Sequence, residues 1–248
     1  MENSIYSRPS LTLTATENTP KPPLSALDSS PMPSQGQSAS LSFAPPPHVG
    51  VQRAQRACDF VLCLLLLILL LPLFALLALL VRLDSPGPIL FIQTRVGRHG
   101  DEFPFFKFRS MVADAEARRL VLEQQNERSG PVFKMKNDPR ITRVGRILRK
   151  YSLDELPQLL NVLRGEMSLI GPRPALPREV AQYTPRQRQR LGITPGVTGL
   201  WQVSGRASIS FEHSVELDLH YIEHQSVWLN TRILLMTVPA VLKGDGAY

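Results

Sequence analysis

Residues 60–81 read FVLCLLLLILLLPLFALLALLV, an uncharged and almost entirely aliphatic run. About 20 apolar residues are enough to cross a hydrocarbon core roughly 30 Å thick. A helix of a soluble protein is seldom apolar on every face over such a length. The run begins too far from Met1 to be a signal peptide, and it lacks a small-x-small cleavage site. It therefore predicts a membrane-embedded helix.

Pro72 interrupts this run near its middle, where proline removes a helix hydrogen bond and favours a kink. Arg53 and Arg56 precede the run and Arg82 follows it, so the positive-inside rule assigns no orientation. Two forms stay open. One is a kinked helix that spans the membrane, since proline is tolerated there. The other is a helix that bends at Pro72 and returns to the cytosolic face.

The composition changes on both sides of the run. Residues 1–50 are rich in Ser, Pro and Thr, which predicts a disordered tail. Residues 84–248 have the composition of a soluble, basic domain. We therefore expect a tail at 1–50, a membrane helix at 51–83 with its break at Pro72, and a folded domain at 84–248. Cys58 and Cys63 both lie at the start of the helix, so a disulfide framework is not expected.

The folded domain is predicted to be α+β and mostly helical, with one small β-hairpin. Two apolar runs at 89–93 and 103–108 flank the turn residues 97–100 and predict the hairpin. Residues 168–205 are punctuated by Gly and Pro, which predicts ordered loops with short elements. The last predicted helix is apolar enough to lie on a membrane surface. The predicted helices are 113–126, 142–149, 156–163, 211–221 and 231–242.

The chain is basic, with 28 Lys+Arg against 21 Asp+Glu and a formal charge of +7 over 248 residues. This excess predicts an anionic partner, whether nucleic acid, acidic lipid or a phosphorylated substrate. Neither a P-loop nor a Rossmann phosphate-binding motif is present in the sequence.

Residues 149–157, RKYSLDELP, contain the adjacent carboxylates Asp154 and Glu155. If Asp154 is a helix N-cap, Pro157 falls in the first turn, where its missing N–H costs nothing. The positive helix start favours an anion, so we expect Asp154 to remain ionised near neutral pH and to be a competent nucleophile towards phosphorus. The segment also fits a purely structural capping box formed by Ser152 and Glu155. Both interpretations stay open on these residues alone.

Arginines surround this segment in sequence. Arg143, Arg146 and Arg149 recur every third residue, nearly on one helix face, and Arg173 follows in Gly-Pro-Arg-Pro. Guanidinium groups bind phosphate oxygens bidentately, so a diphosphate is a natural ligand. A basic face resting on anionic lipid headgroups explains them equally well. The same choice applies to the cations of the predicted hairpin: Arg95, Arg98, Lys107 and Arg109.

Six segments occur in a specific order along the chain. They are FIQTRVGR (91–98), FKFRSM (106–111), DPRITRVGR (138–146), SLDELPQ (152–158), GEMSLIGPRP (165–174) and PGVTGLWQVSGR (195–206). Together they closely resemble the bacterial sugar transferase family, the monotopic polyprenyl-phosphate phosphoglycosyl transferases. The resemblance runs from about Arg53 to the C-terminus and is nearest in kind to exopolysaccharide-initiating galactose- or glucose-phosphate transferases.

This resemblance implies an enzyme that transfers a sugar-1-phosphate from a UDP-sugar to undecaprenyl phosphate, the first membrane step of exopolysaccharide or O-antigen-type glycan synthesis. Asp154 and Glu155 match the family's catalytic pair. Asp154 would attack the β-phosphate and release UMP, and the lipid phosphate would then attack the phosphosugar-aspartate. Mg²⁺ is the expected cofactor, close to Asp154, and Arg149 and Arg173 would hold phosphate.

The resemblance also implies a re-entrant membrane helix broken at a Ser-Pro pair, which here is Leu71-Pro72 and so keeps only the proline. It places the protein in the inner membrane with its catalytic domain facing the cytosol. Membrane lipids are expected partners, downstream glycosyltransferases are candidate ones, and no nucleic-acid partner is expected. We further expect substrate or phosphate contacts from Lys107, Arg109, Arg95 and Arg206.

Two functions of other classes remain as alternatives. One is a membrane-tethered nucleic-acid-binding or regulatory module, and the other is a non-catalytic scaffold for polysaccharide assembly. Neither depends on the carboxylate of Asp154.

Overall fold

The computed structural model describes residues 49–122, 135, 137–205 and 209–244. These residues form mostly helices, as the sequence predicts, together with two small sheets. In chain order the elements are α1 (Val49–Leu69), α2 (Leu71–Asp84), β1 (Leu90–Val96), β2 (Glu102–Phe108), α3 (Ala115–Leu122), α4 (Arg143–Lys150), α5 (Leu159–Arg164), β3 (Ser168–Ile170), α6 (Pro177–Val180), α7 (Pro185–Arg188), β4 (Gly196–Thr198), α8 (Leu200–Ser204), α9 (Phe211–Glu223) and α10 (Val227–Lys243). Short 3-10 helices cover Arg98–Gly100, Leu153–Gln158 and Gln189–Gly192.

The predicted β-hairpin is confirmed and is longer than the sequence suggested. β1 and β2 pair antiparallel from Leu90 opposite Phe108 to Val96 opposite Glu102. Phe103 and Phe105 of β2 point into the main core, which also contains Met167 and Tyr221. Lys107 follows Phe103 and Phe105 on the same face of β2, with its Nζ atom 5.4 Å from the centre of the Phe105 ring, so the face that packs on the core also brings Lys107 to the site described below.

A second, parallel pair of strands was not predicted. β3 pairs with β4, with Ser168 opposite Gly196 and Ile170 opposite Thr198. A Cβ atom on Gly196 would lie 2.0 Å from the backbone nitrogen of Gly171, so only glycine permits this approach. Each strand has three residues, too few for an alternating pattern to identify it.

The apolar run forms two helices, α1 and α2, with a bend of 63° between them. No single helix in the described residues is long and apolar enough to cross a membrane, but this bent pair passes by length and composition. The helices separate at Leu70, and Pro72 lies in the first turn of α2. The break therefore precedes Pro72, as expected where a proline ring opposes continuation of the preceding turn.

Both arms of this bent pair pack against the same domain. Arg56 of α1 donates to the backbone oxygens of Val162 and, at 2.9 Å, Leu163. At the far end of the pair, Val81 of α2 packs with Leu148 of α4. A straight span would carry α2 away from the domain that α1 contacts.

Two predicted helices differ from the observed ones. The helix expected at 156–163 begins as the 3-10 helix Leu153–Gln158 and becomes α-helical only in α5. Pro157 lies inside this 3-10 segment and has no N–H for an α-helical bond. The helix expected at 113–126 is observed as α3, and residues 123–126 lie outside the described part of the chain.

α4 packs unusually closely on the chain after β2. Thr142 caps the helix by accepting a hydrogen bond from the backbone N–H of Gly145 at 3.0 Å. A Cβ atom on Gly145 would lie 2.0 Å from the backbone oxygen of Ser110. This contact fixes the position of Arg149, which lies one turn further along α4.

We expect Gly145→Ala to destabilise the protein by about 3 kcal/mol, since the added methyl group forces a backbone shift in a packed interface. The measurement is the thermal unfolding midpoint of the detergent-purified protein. Gly192→Ala is the matched control, because no atom lies within 4 Å of the added Cβ there. Equal midpoints for the two variants would contradict the packing described for α4.

Candidate active site

A cavity of about 710 Å³ lies between the hairpin, α4, the 3-10 helix Leu153–Gln158, the loop after β3 and α10. This size is typical of small-molecule sites. The structure brings seven of the eight predicted catalytic and substrate-binding residues to its walls, namely Arg95, Lys107, Arg109, Arg149, Asp154, Glu155 and Arg173. The eighth, Arg206, lies outside the described residues.

The turn before Asp154 differs from both predicted capping arrangements. Ser152 has the left-handed backbone conformation, with φ 53°, and its side chain makes no capping hydrogen bond. Asp154 is the second residue of the 3-10 helix and not its N-cap. Both capping predictions are wrong because an N-cap needs extended backbone geometry, whereas the chain here reverses sharply after α4. This reversal directs Asp154 to the cavity instead.

Glu155 is paired with two cations of the site. Its Oε1 atom accepts hydrogen bonds from Lys107 Nζ at 2.7 Å and from Arg173 Nη1 at 3.1 Å. Lys107 belongs to β2, and Arg173 follows β3. One carboxylate thus joins the hairpin, the 3-10 helix and the loop after β3.

Asp154 is buried, with 6% of its surface exposed, yet it is weakly paired. Its Oδ2 atom lies 3.8 Å from Lys107 Nζ. No hydrogen bond to the side chain of Asp154 is present among the described residues, and the neighbouring cations bond to Glu155 instead. Its carboxylate therefore faces the cavity with oxygen atoms that an electrophile or a cation can approach.

The two carboxyl groups have opposite pKa shifts. Burial raises the pKa of Asp154, and Lys107 only partly opposes that effect, while the negative charge of Glu155 adds to it. Burial acts on Glu155 as well, but Lys107 and Arg173 outweigh it and hold the pKa of Glu155 well below its usual range. Glu155 therefore carries a fixed negative charge. Lys107, Arg149 and Arg173 lower the pKa of Asp154 against the effect of burial.

Arg149, Arg173 and Arg95 supply positive charge to the cavity. Arg149 and Arg173 both act electrostatically on Asp154. Arg95 donates to the backbone oxygen of Pro174 at 3.1 Å, and its guanidinium lies 5.2 Å from the centre of the Phe105 ring. Burial, followed by the charge of Arg173, lowers the pKa of Arg95 to about 10, so it remains a cation at neutral pH.

Arg109 has a different environment from the other predicted phosphate-binding residues. It donates to the backbone oxygens of Val81 at 3.1 Å, Ser85 at 2.5 Å and Pro86 at 3.0 Å. These bonds close the turn between α2 and β1. We therefore assign Arg109 to this turn and leave it out of the proposed phosphate-binding group. The position of Arg109 in the sequence does not reveal these contacts.

The basic face predicted for residues 143–149 is divided by the fold. Arg149 lines the cavity, whereas Arg143 and Arg146 are exposed on the outer side of α4. The three arginines of this predicted face therefore do not share one environment.

Sequence reasoning missed a polar cluster at the base of α1. Asp59 is 4% exposed and accepts a hydrogen bond from the hydroxyl of Ser168 at 2.5 Å. The available signal was an acidic residue directly before an apolar run, where an unpaired carboxylate is costly.

Comparison with known proteins identifies the family. A family model described as bacterial sugar transferase matches residues 51–244. The chain belongs to the bacterial sugar transferase family. This confirms the resemblance seen in the six sequence segments, and it extends through the apolar run and the whole of the described domain.

Three relatives illustrate the range of this sugar transferase family. The undecaprenyl-phosphate galactose phosphotransferase of Salmonella typhimurium is 47% identical over 166 residues, covering 65% of this chain and 35% of the relative. The UDP-glucose:undecaprenyl-phosphate glucose-1-phosphate transferase of Caulobacter vibrioides is 41% identical, covering 82% and 75%. Exopolysaccharide production protein ExoY of Sinorhizobium fredii is 38% identical, covering 88% and 100%. The chain spans only 35% to 41% of the length of the galactose-transferring relatives that it matches.

Replacing Lys107 by Met should shift the acid limb of the pH–rate profile of this transferase upwards by about 1 to 2 units, the effect expected from losing a cation near a carboxylate. Lys107 lowers the pKa of Asp154, so its removal raises that pKa further. Activity that requires ionised Asp154 is lost as the pH falls through its pKa, so it fails at a higher pH in Lys107→Met than in the wild type.

Lys107→Arg is the control, because it keeps the charge and should leave the acid limb close to that of the wild type. The same acid limb in Lys107→Met and the wild type would show that Lys107 does not set the charge of Asp154.

Proposed function

We propose that this sugar transferase moves a hexose-1-phosphate from a UDP-sugar to undecaprenyl phosphate, with Asp154 as nucleophile. The observation that carries the proposal is the buried carboxylate of Asp154, which faces a cavity rich in arginine while the adjacent Glu155 is paired with Lys107 and Arg173. The names of the relatives support this reaction, since they include transferases of galactose and of glucose-1-phosphate to undecaprenyl phosphate.

The first step is attack by an Asp154 oxygen on the β-phosphorus of the donor. A new phosphorus–oxygen bond forms, the bond from that phosphorus to the bridging oxygen breaks, and UMP leaves with the bridging oxygen. In the second step an oxygen of the lipid phosphate attacks the same phosphorus. The carboxylate of Asp154 is released and the lipid diphosphosugar is formed, so no other reactant is needed.

Cations of the chain balance the charge of the donor in this scheme. Arg173 is bound to Glu155 at 3.1 Å and Arg149 acts on Asp154, so a diphosphate beside Asp154 meets both guanidinium groups. Arg95 offers a third cation that has no ion pair in the part of the chain that the structure describes. Lys107 and Glu155 hold the position and charge of the nucleophile.

Mg²⁺ fits the residues present, and we propose it as the cofactor. No group of three or more acidic, His or Cys side chains capable of holding a metal occurs among the described residues. Mg²⁺ is commonly bound through one or two carboxylates together with substrate phosphates, and Asp154 supplies one carboxylate. When bound, the ion would offset negative charge on the diphosphate.

The α1–α2 pair is proposed to be a re-entrant membrane anchor. Both arms contact the same domain, through Arg56 on α1 and Val81 on α2, so a chain that enters the bilayer at α1 returns to the same side. Leu69 and Leu71, at the bend, are among its most exposed apolar residues. We place the domain on the cytosolic face of the inner membrane, where a UDP-sugar is available.

α10 connects the proposed membrane surface to the cavity. Trp228, Leu235, Val238 and Leu242 recur on one exposed face of this helix, as in helices that lie on a bilayer. Thr237 lies on another face and lines the cavity. A lipid phosphate can thus reach the site from the membrane surface while the donor enters from water.

The outer face of α4 is proposed to contact anionic lipid headgroups. Ile147 is 58% exposed next to Arg146 and one turn after Arg143, so an apolar side chain adjoins the two basic ones there. Neither arginine forms an ion pair within the described residues. α4 also adjoins the membrane anchor, because Val144 N donates to Asp84 at 3.1 Å.

Asp154→Asn should reduce UMP release from a UDP-sugar by about 10³-fold or more, as expected when a nucleophile is removed. The assay combines purified protein, undecaprenyl phosphate, Mg²⁺ and either UDP-galactose or UDP-glucose, and the preferred donor identifies the sugar. Asp101→Asn is the matched control, because this carboxylate is exposed in the hairpin turn. Turnover of Asp154→Asn close to that of the control would refute the assignment.

Arg143→Gln with Arg146→Gln should weaken association with phosphatidylglycerol-containing vesicles about 30-fold, since each cation near an anionic surface contributes about 1 kcal/mol. Association with purely zwitterionic vesicles should not change. Arg118→Gln with Arg186→Gln removes the same charge from other exposed sites and should have little effect. An equal loss in both double variants, or salt-dependent nucleic-acid binding by this face, would contradict its role in lipid contact.

A further inference from the structure

The membrane anchor is joined to the active-site domain by a buried polar cluster. Asp59 lies on α1 directly before the apolar run and accepts from the Ser168 hydroxyl at 2.5 Å. Gln55, one turn earlier, donates to the same hydroxyl oxygen at 2.5 Å and to the backbone oxygen of Ile170 at 2.8 Å. These hydrogen bonds hold both ends of β3, Ser168 and Ile170.

The side-chain oxygen of Gln55 is also fully used. It accepts from Gln225 Nε2 at 2.8 Å and from Asn230 Nδ2 at 3.0 Å. Tyr221 completes the cluster by donating to Asn230 at 2.9 Å. Buried networks in which each member is satisfied define one arrangement, so α1 is held in a single register against β3 and the start of α10.

β3 leads directly into the segment that carries Arg173. Gly171 N donates to Thr198 at 2.9 Å, and Gly196 N donates to the backbone oxygen of Pro172 at 2.8 Å. Prolines on both sides of Arg173 fix their own φ angles, so the segment has little freedom to absorb a shift of β3. A movement of β3 is therefore passed on to the guanidinium of Arg173.

We propose that Asp59 and Gln55 are positioning residues for donor binding. The docked membrane helix sets the register of β3, and β3 in turn sets Arg173 at its 3.1 Å contact with Glu155, facing the diphosphate. This inference rests on the proposed function and adds to it a coupling between anchor docking and the affinity for the nucleotide-sugar. The complete donor site then forms only when Asp59 and Gln55 hold β3 in this register.

The test uses the full chain in lipid nanodiscs and compares substitutions at two points of the cluster. Asp59→Ala and Ser168→Ala each remove one side of the same hydrogen bond, and each should raise KM for the UDP-sugar about tenfold while kcat changes little. Asp59→Asn keeps an oxygen acceptor for Ser168 and should stay close to the wild type. Hydrogen exchange in residues 168–175 should increase in the two Ala variants.

Arg56→Gln is the matched control on the same helix. Arg56 holds the backbone oxygens of Val162 and Leu163 and makes no contact with β3 in the bonds described above. Its loss loosens the docking of α1 elsewhere, so KM and exchange at 168–175 should remain near wild-type values. A rise in KM for Arg56→Gln equal to that for Asp59→Ala would overturn the positioning role in favour of general loss of docking.

Failure of this inference is distinct from failure of the proposed function. Wild-type turnover combined with unchanged KM and unchanged exchange in Ser168→Ala would overturn the positioning role alone. Wild-type protein that releases no UMP, or Asp154→Asn that releases it normally, would overturn the proposed function. Ser168 lies outside the membrane anchor, so Ser168→Ala tests the positioning role even where Asp59→Ala does not fold.

Discussion

The site depends on the partly buried carboxylate of Glu155, which two cations hold in place. Glu155 binds Lys107 at 2.7 Å and Arg173 at 3.1 Å, and these residues come from β2 and from the loop after β3. The contact fixes the 3-10 helix that contains Asp154, the neighbour of Glu155. Because both cations are committed to Glu155, Asp154 is left buried but weakly paired. A carboxylate in such a setting keeps its oxygen atoms available for reaction with an electrophile.

The α1–α2 pair, which we propose as the membrane anchor, is part of this arrangement and not a separate tether. α1 contacts α5 and β3, whereas α2 packs on α4, the helix that carries Arg149. β3, which precedes Arg173, and α4, which carries Arg149, thus each contact one arm of the bent pair. In the proposed reaction a lipid substrate arrives from the membrane surface and a donor arrives from water, so both routes must lead to the same cavity. α10 satisfies this requirement, because it has one exposed apolar face and one face towards the cavity.

Much of the fold follows from local sequence patterns. The apolar run, the hairpin and the amphipathic helices α9 and α10 were predicted because each has a repeating pattern longer than one turn or pleat. The parallel pair β3–β4 was not, since three residues give no period. Capping by Ser152 and Asp154 was also predicted wrongly, because the left-handed turn at Ser152 is set by the reversal after α4. Local sequence does not report such tertiary constraints.

The candidate site shows the same division. Its residues were found through ordered motifs, yet their roles depend on contacts distant in sequence, as with Arg109 and the turn after α2.

The most direct test of the central claim is mass spectrometry of the protein quenched during incubation with UDP-sugar and Mg²⁺ in the absence of lipid acceptor. The account predicts a phosphosugar adduct on the peptide containing Asp154, which undecaprenyl phosphate then discharges. Rapid UMP release with no adduct on Asp154 would contradict it.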